Sequence, residues 1–389
     1  KTKQETEPKT KQETEPKTEQ GTKQKNEIIE KNKKNDMSER NDEKDKNVFA
    51  LIGKSFLQFC AMVLTFVAAV AILLLLSLNM MCSGEFPFAQ RVFVTTILET
   101  GQLKFLASWF LSAEEIQEIV NQNSMKELNA EIDTDLIQVG GGSGSVIVQD
   151  GSEESAETQE QKDIEIVEVA GTTYTGTMMI VKDPSRISLA TIYPWRERGV
   201  CLDELVTAND AIAGINGGIY NSANNSGGSP YGVIVSHGEI QYNKPQLVLI
   251  GFTNEDILQI VDISSMNVSD VEKLVEEEGI RDAVTFQEEA SDANNHFVQL
   301  IINNEAREMN GMGSGLNPRT AIGQRADGTV LLFVTDGRGK SGHLGASSGD
   351  LISVMQEFGA VNAANLDGGS SSCMYYDGEY LMTSVTFYQ

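Results

Sequence analysis

The chain has 389 residues, enough for two domains or for one with appendages, and a net charge of −26. The charge is uneven: residues 1–54 carry 14 Lys+Arg against 12 Asp+Glu, whereas residues 164–389 carry 12 against 29. So acidic a globular part excludes a nucleic-acid partner held by phosphate neutralisation. It leaves room for a small phosphate ester, because one local arginine outweighs a distant acidic surface in a partly desolvated cleft.

Position 1 is Lys rather than Met, which is compatible with a fragment. Residues 1–16 duplicate the octad Lys-Thr-Lys-Gln-Glu-Thr-Glu-Pro, and through Asn47 there is little apolar material beyond Ile28, Ile29 and Met37. Such a stretch buries too little surface to offset the entropy of ordering, so residues 1–54 read as a disordered tail. Phe56–Leu78 then runs without a charge, long enough as a helix to cover a bilayer's hydrocarbon core. Residues 55–79 are therefore expected to form a single transmembrane helix. Lys44, Lys46 and Lys54 precede the span, and Glu85 and Arg91 follow it without net charge. That asymmetry predicts a cytoplasmic N-terminus and an extracytoplasmic remainder in the cell membrane, with the lipid bilayer as a partner.

Residues 80–139 read as a membrane-proximal helical stalk, with Ser112 as an N-cap and Glu115 three residues on. Either a hairpin lying on the bilayer or a packed stalk fits the apolar clusters around Phe105 and Trp109. The glycine- and acid-rich residues 140–163 read as a flexible spacer.

From Ile164 the pattern changes to many short apolar runs: Ile164–Val169, Thr177–Val181, Gly232–Val235, Leu247–Ile250, Phe297–Ile302 and Val330–Val334. Helical periodicity shows at Ser269–Glu278 and Leu351–Phe358, with Asp350 as a candidate cap. The mixture predicts an α+β, sheet-rich domain over 164–389. Of four cysteines, Cys60 and Cys82 fall in or beside the span; the spacing of Cys201 and Cys373 does not decide whether they pair.

Four stretches share one grammar, an apolar run ending at a polar residue beside glycine. They are Ala211–Tyr220 with Asn216-Gly217-Gly218, Asn317–Gly323 with Arg319, Leu331–Gly339 with Asp336-Gly337-Arg338, and Asn365–Ser372 with Asp367-Gly368-Gly369. Each polar residue stands where a buried strand would end, the usual place for a site carried on a rigid scaffold. Singly, each is an ordinary turn or surface residue.

In this order and spacing the four stretches resemble the phosphodiester glycosidase family over about residues 164–389. The family's animal member removes N-acetylglucosamine from a sugar 1-phosphodiester, and bacterial members are associated with exopolysaccharide. A glutamate-rich, insertion-like segment, Val271–Asp292, departs from the pattern. The resemblance implies a glycosidase acting on a sugar-1-phosphodiester or phosphate-containing glycan, with no cofactor and a divalent cation left open.

The residue types suit that chemistry. Arg319 offers a planar fork for a phosphate, and Gly368 and Gly369 offer backbone N–H groups to the same anion. Asp367 and Asp336 are the candidate catalytic carboxylates, one as nucleophile or base and the other in support, with Arg338 able to pair with Asp336. Asn216 either donates to substrate or fixes a catalytic Asp. Ser370, Arg338 and His343 complete the candidate substrate contacts, His343 being more ordinarily a loop histidine. Two other readings stay open: a non-catalytic glycan-binding module, and a metal-dependent phosphodiesterase, which the scarcity of histidine disfavours.

Overall fold

A computed structural model describes residues 18–100, 103–126, 130–140, 163–221, 228–287 and 298–383. The chain divides into two units, with the boundary between Leu78 and Asn79. Helix α1, Thr18–Cys82, runs through that boundary. Its Leu51–Cys82 stretch is long and apolar enough to cross a membrane. From Thr18 the tail is helical rather than unstructured. Its Lys, Glu, Gln and Arg content favours helix, and continuity with the apolar stretch removes the cost of nucleation. The duplicated octad lies outside the described residues.

The second unit, Asn79–Gln389, contains the sheets. A seven-stranded antiparallel sheet has the order β1 (Ile164–Ala170), β2 (Thr175–Val181), β12 (Val330–Thr335), β11 (Thr320–Arg325), β13 (Ala360–Leu366), β9 (Gln299–Ile302) and β10 (Glu305–Ala306). A five-stranded antiparallel sheet has the order β5 (Glu239–Asn243), β4 (Val233–Ser236), β8 (Ile280–Phe286), β6 (Val248–Thr253) and β7 (Leu258–Asp262). A small third sheet joins β15 (Glu379–Thr383), β14 (Cys373–Tyr376) and β3 (Ala213–Ile215). The expected α+β class is observed.

Two-residue alternation builds the layers. In β12, Val330, Leu332 and Val334 enter the core shared with Ile250, Phe252 and Val284 of the five-stranded sheet. Leu331 and Phe333 point the other way, against Leu351 and Met355 of helix α7 (Ser348–Glu357). On the far side of the five-stranded sheet, Leu249 and Val235 meet Val271 and Val275 of α6 (Val268–Glu277). The order of layers is therefore helix, sheet, sheet, helix, which buries both faces of both sheets. Strands buried on both faces read as continuous apolar runs, which is how β12 and β2 appear in the sequence.

Two expectations change here, and a third, left between two readings, takes the packed one. The N-cap of α7 is Ser347, and Asp350 is its N3 partner in a capping box. Val271–Asp292 is no insertion up to Gln287, because it supplies most of α6 and then β8, the central strand of the five-stranded sheet. Finally, the segment before the spacer packs on the sheet domain. Helices α2 (Pro87–Leu98), α3 (Phe105–Ser108) and α4 (Ala113–Asn121) enclose a small core around Val94, Ala107 and Leu111. The chain that follows is hydrogen-bonded across to the domain, Lys126 N to Glu308 O and Asn310 N to Ser124 O at 2.8 Å each. Gln138 N reaches Ala326 O at 2.8 Å. The Ser112–Glu115 capping box forms as expected.

Candidate functional site

β13 ends at Leu366, and the next residue, Asp367, opens into a cleft of about 1690 Å³ between the sheets. Asp367 is fixed through its main chain. Its N–H donates to Gly217 O at 3.1 Å, and its carbonyl accepts from Asn216 Nδ2 at 2.5 Å. Asn216 Oδ1 accepts in turn from Thr320 Oγ1 at 2.8 Å and from Cys373 N at 3.0 Å. One amide thus ties together the ends of β3, β11, β13 and β14. Of the two roles open to Asn216, the geometry displays the second, fixing an aspartate.

Burial pushes the Asp367 carboxyl up to about 7, against hydrogen bonds from Ser371 and the Gly368 N–H and the charge of Arg338, all of which lower it. Arg338 also lines the cleft. It adopts a left-handed conformation, φ +53°, in the turn after β12, where its N–H donates to Leu344 O at 3.1 Å. Gly369, also left-handed at φ +61°, lies so close that a Cβ there would fall 2.7 Å from Arg338 Nη2. Glycine at 369 therefore serves both the turn and the approach of the guanidinium.

Of the residues singled out in the sequence, Asn216, Arg338, Asp367 and Ser370 share the cleft lining with Gly217 and Gly218. The remainder do not line it. Arg319 is 1 % exposed, and its Nη2 contacts Glu99 Oε2 at 2.5 Å, Gly315 O at 2.9 Å and Ser314 Oγ at 3.1 Å. The fork expected to hold a phosphate instead holds a carboxylate of the same chain, because a buried guanidinium requires a counter-charge. Glu99 is itself held by Gly315 N at 2.5 Å and Asn317 Nδ2 at 2.8 Å.

Asp336 is 4 % exposed. Its Oδ1 accepts from Thr175 N at 2.7 Å, and its Oδ2 lies 2.7 Å from His343 Nδ1. Its observed side-chain partner is His343, where Arg338 was expected. The Gly369 N–H donates to Pro318 O at 2.8 Å, and the Gly368 N–H serves the Asp367 carboxyl. Both donors expected to face a phosphate are thus committed inside the protein, one within the turn and one to the segment before β11. Sequence reasoning missed Glu99, which no motif marks, and Ser371, which the hydroxyl run after Gly369 signals. Among the described residues no cluster of His, Cys, Asp and Glu is arranged to hold a metal ion.

Residues 209–387 match the family model described as phosphodiester glycosidase. That stretch holds all four of the glycine-flanked motifs. A curated protein of Bacillus subtilis strain 168, the SPbeta prophage-derived uncharacterized protein YomE, is 42% identical over 65 residues. That match takes in 17% of this chain and only 10% of the YomE protein. Among solved structures, the catalytic domain of zebrafish N-acetylglucosamine-1-phosphodiester alpha-N-acetylglucosaminidase, auto-inhibited by its pro-peptide, is 20% identical. It covers 59% of this chain and 79% of its own, at a TM-score of 0.43. A hypothetical protein from Synechocystis is 18% identical, covering 57% of this chain and 58% of its own, with a TM-score of 0.36. The phosphodiester glycosidase match begins after β1 and β2, although both strands extend its main sheet.

Proposed function

We propose that the Asn79–Gln389 unit is a hydrolase that breaks the glycosidic C–O bond of a sugar-1-phosphodiester. The observation that carries this reading is the pairing, in one cleft, of a desolvated Asp367 carboxyl with the Arg338 guanidinium. Near neutral pH a carboxyl at about 7 is part ionised, so Asp367 can attack the anomeric carbon or take a proton from the attacking water. The C1–O bond then breaks, its electron pair stays on the phosphate oxygen, and Arg338 balances the charge that develops there; where Asp367 is the nucleophile, water then hydrolyses the glycosyl ester and restores the carboxylate. A phosphate is a good leaving group without a proton, so this chemistry does not demand a second carboxylic acid in the cleft. Asp336 then supports from outside the lining by orienting His343, and Ser370 offers a hydroxyl to the substrate.

The Leu51–Cys82 stretch would hold this unit on the outer face of a cell membrane, where sugar phosphodiesters of surface glycans or exopolysaccharide are at hand. Exposed aromatic side chains just beyond it, Phe86, Phe88, Phe105 and Trp109, suit a membrane interface. Hydrolysis of a sugar-1-phosphodiester in heavy-oxygen water tests the bond: label in the sugar supports C–O cleavage, and label in the phosphate rejects it.

A further inference from the structure

The cleft is larger than a sugar phosphate needs. At about 1690 Å³ it exceeds the roughly 300–1,000 Å³ of ordinary small-ligand sites. Part of its wall is the segment Ser188–Ile192 with Trp195, which belongs to none of the family motifs. Trp195 is half-buried, and its Nε1–H donates to Gln241 O of β5 at 3.3 Å. Its ring meets Tyr193 edge-on at 5.8 Å and Tyr242 at 6.4 Å. Tyr193 is 55% exposed.

The segment is pinned from both sides. Thr191 Oγ1 donates to Gln241 Oε1 at 2.7 Å, and Gly228 packs so tightly that a Cβ there would fall 2.1 Å from Arg196 O. Of the three rings Trp195 lines the cleft, held edge-on by Tyr193 and Tyr242, and so offers a rigid apolar surface with polar groups at its edge. Ser188 supplies a hydroxyl in the same wall, and Thr191 an oxygen that can still accept while its proton goes to Gln241. Pyranose rings carry apolar C–H faces and an equatorial belt of hydroxyls, so they complement such a surface. A lipid chain would not use the hydroxyls, and the acidic domain disfavours further anionic groups.

We propose that Trp195, flanked by the exposed Tyr193 and braced by Tyr242, marks a second sugar-binding subsite of the cleft, so that the substrate is an oligosaccharide or polymer bearing the phosphodiester. The inference rests on the hydrolytic reading for the identity of the chain but not for its test. The chain has two tryptophans, so Trp109→Phe leaves Trp195 as the only one, read selectively by exciting at wavelengths that tyrosine does not absorb. The detergent-solubilised full chain carrying that change is titrated with three neutral probes: the tetramers of β-1,4-linked N-acetylglucosamine, β-1,4-linked glucose and α-1,4-linked glucose. A saturable change in Trp195 emission with at least one probe is expected. It should weaken tenfold or more in Tyr193→Ala and return in Tyr193→Phe. No saturable change with any probe, or a change indifferent to Tyr193→Ala in a variant that melts like its parent, overturns the subsite. If wild type hydrolyses no sugar-1-phosphodiester while the titration succeeds, the catalytic reading fails and the sugar subsite stands.

Discussion

Glu99 Oε2 lies 2.5 Å from Arg319 Nη2, and the two side chains, 220 residues apart in sequence, are 3% and 1% exposed. The pair joins the end of α2 to the start of β11. Removing one partner of such a pair leaves a buried charge and typically costs about 3–5 kcal/mol. Glu99→Gln should therefore lower the free energy of unfolding by that amount, read from urea or thermal denaturation. A chain beginning near Ile164 should lose at least as much. A truncated domain that melts with the full unit would show that the segment before the spacer is dispensable to the fold.

Asp367→Asn should cut turnover about a thousandfold or more with little change in substrate affinity, since it removes a reacting group and keeps the shape. Its fold is checked by thermal melting. If the folded variant turns over like wild type while Asp336→Asn is dead, the catalytic role passes to Asp336.

The pH dependence has two linked signs. Asp367 must be ionised to act as nucleophile or base, so kcat/KM should rise as pH passes through about 7. Because the folded-state value lies above the ordinary 3.8, the native state holds this proton more tightly than the unfolded chain. The stability that this contributes is fully present below the ordinary value and is lost as pH rises through about 7. The stability difference between wild type and Asp367→Asn should follow that curve, measured by denaturation at a series of pH values. A flat difference would place the carboxyl in a better-solvated setting.

The two arginines should separate. Arg338→Lys keeps charge but not the planar fork, and should lower kcat/KM roughly ten- to a hundredfold in a protein of unchanged stability. Arg319→Lys should show first as instability, because its donors serve Glu99, Ser314 and Gly315 inside the protein. Kinetics paired with melting curves distinguish the two. Equal stability losses would mean that Arg338 also holds the fold.

Protease added to intact cells should digest the Asn79–Gln389 unit or the 140–163 stretch and spare the repeat-bearing tail, if Leu51–Cys82 spans the membrane as proposed. Digestion of the tail, followed with an antibody to the octad, would reverse the orientation.

What was legible in the sequence was whatever depends on local pattern. The apolar runs of β2 and β12, the Ser112–Glu115 cap and the polar residues at strand ends all announce themselves within a few positions. Asp367 and Arg338 were visible for this reason. Long-range pairing was not. Nothing near Glu99 marks it as the counter-charge of Arg319, so an arginine with the right shape for phosphate was read as facing outward. Gly368 and Gly369 likewise show that a turn forms but not that its N–H groups are taken up by the protein, one of them by Pro318. The helix from Thr18 was missed because a composition too polar for a core was read as disorder, although the same residues favour helix.

The bonds from Lys126, Asn310 and Gln138 to the sheet domain, with the Glu99–Arg319 pair, bear on how the protein is cut. Residues 140–163, rich in glycine and acid, look like a release point for the domain. A single nick there would sever the peptide without parting the pieces, since the N-terminal piece keeps its buried charge and its cross-chain hydrogen bonds. The protein would run as two bands on a denaturing gel and as one particle in solution. Shedding it from its helix would take a second cut, ahead of Pro87.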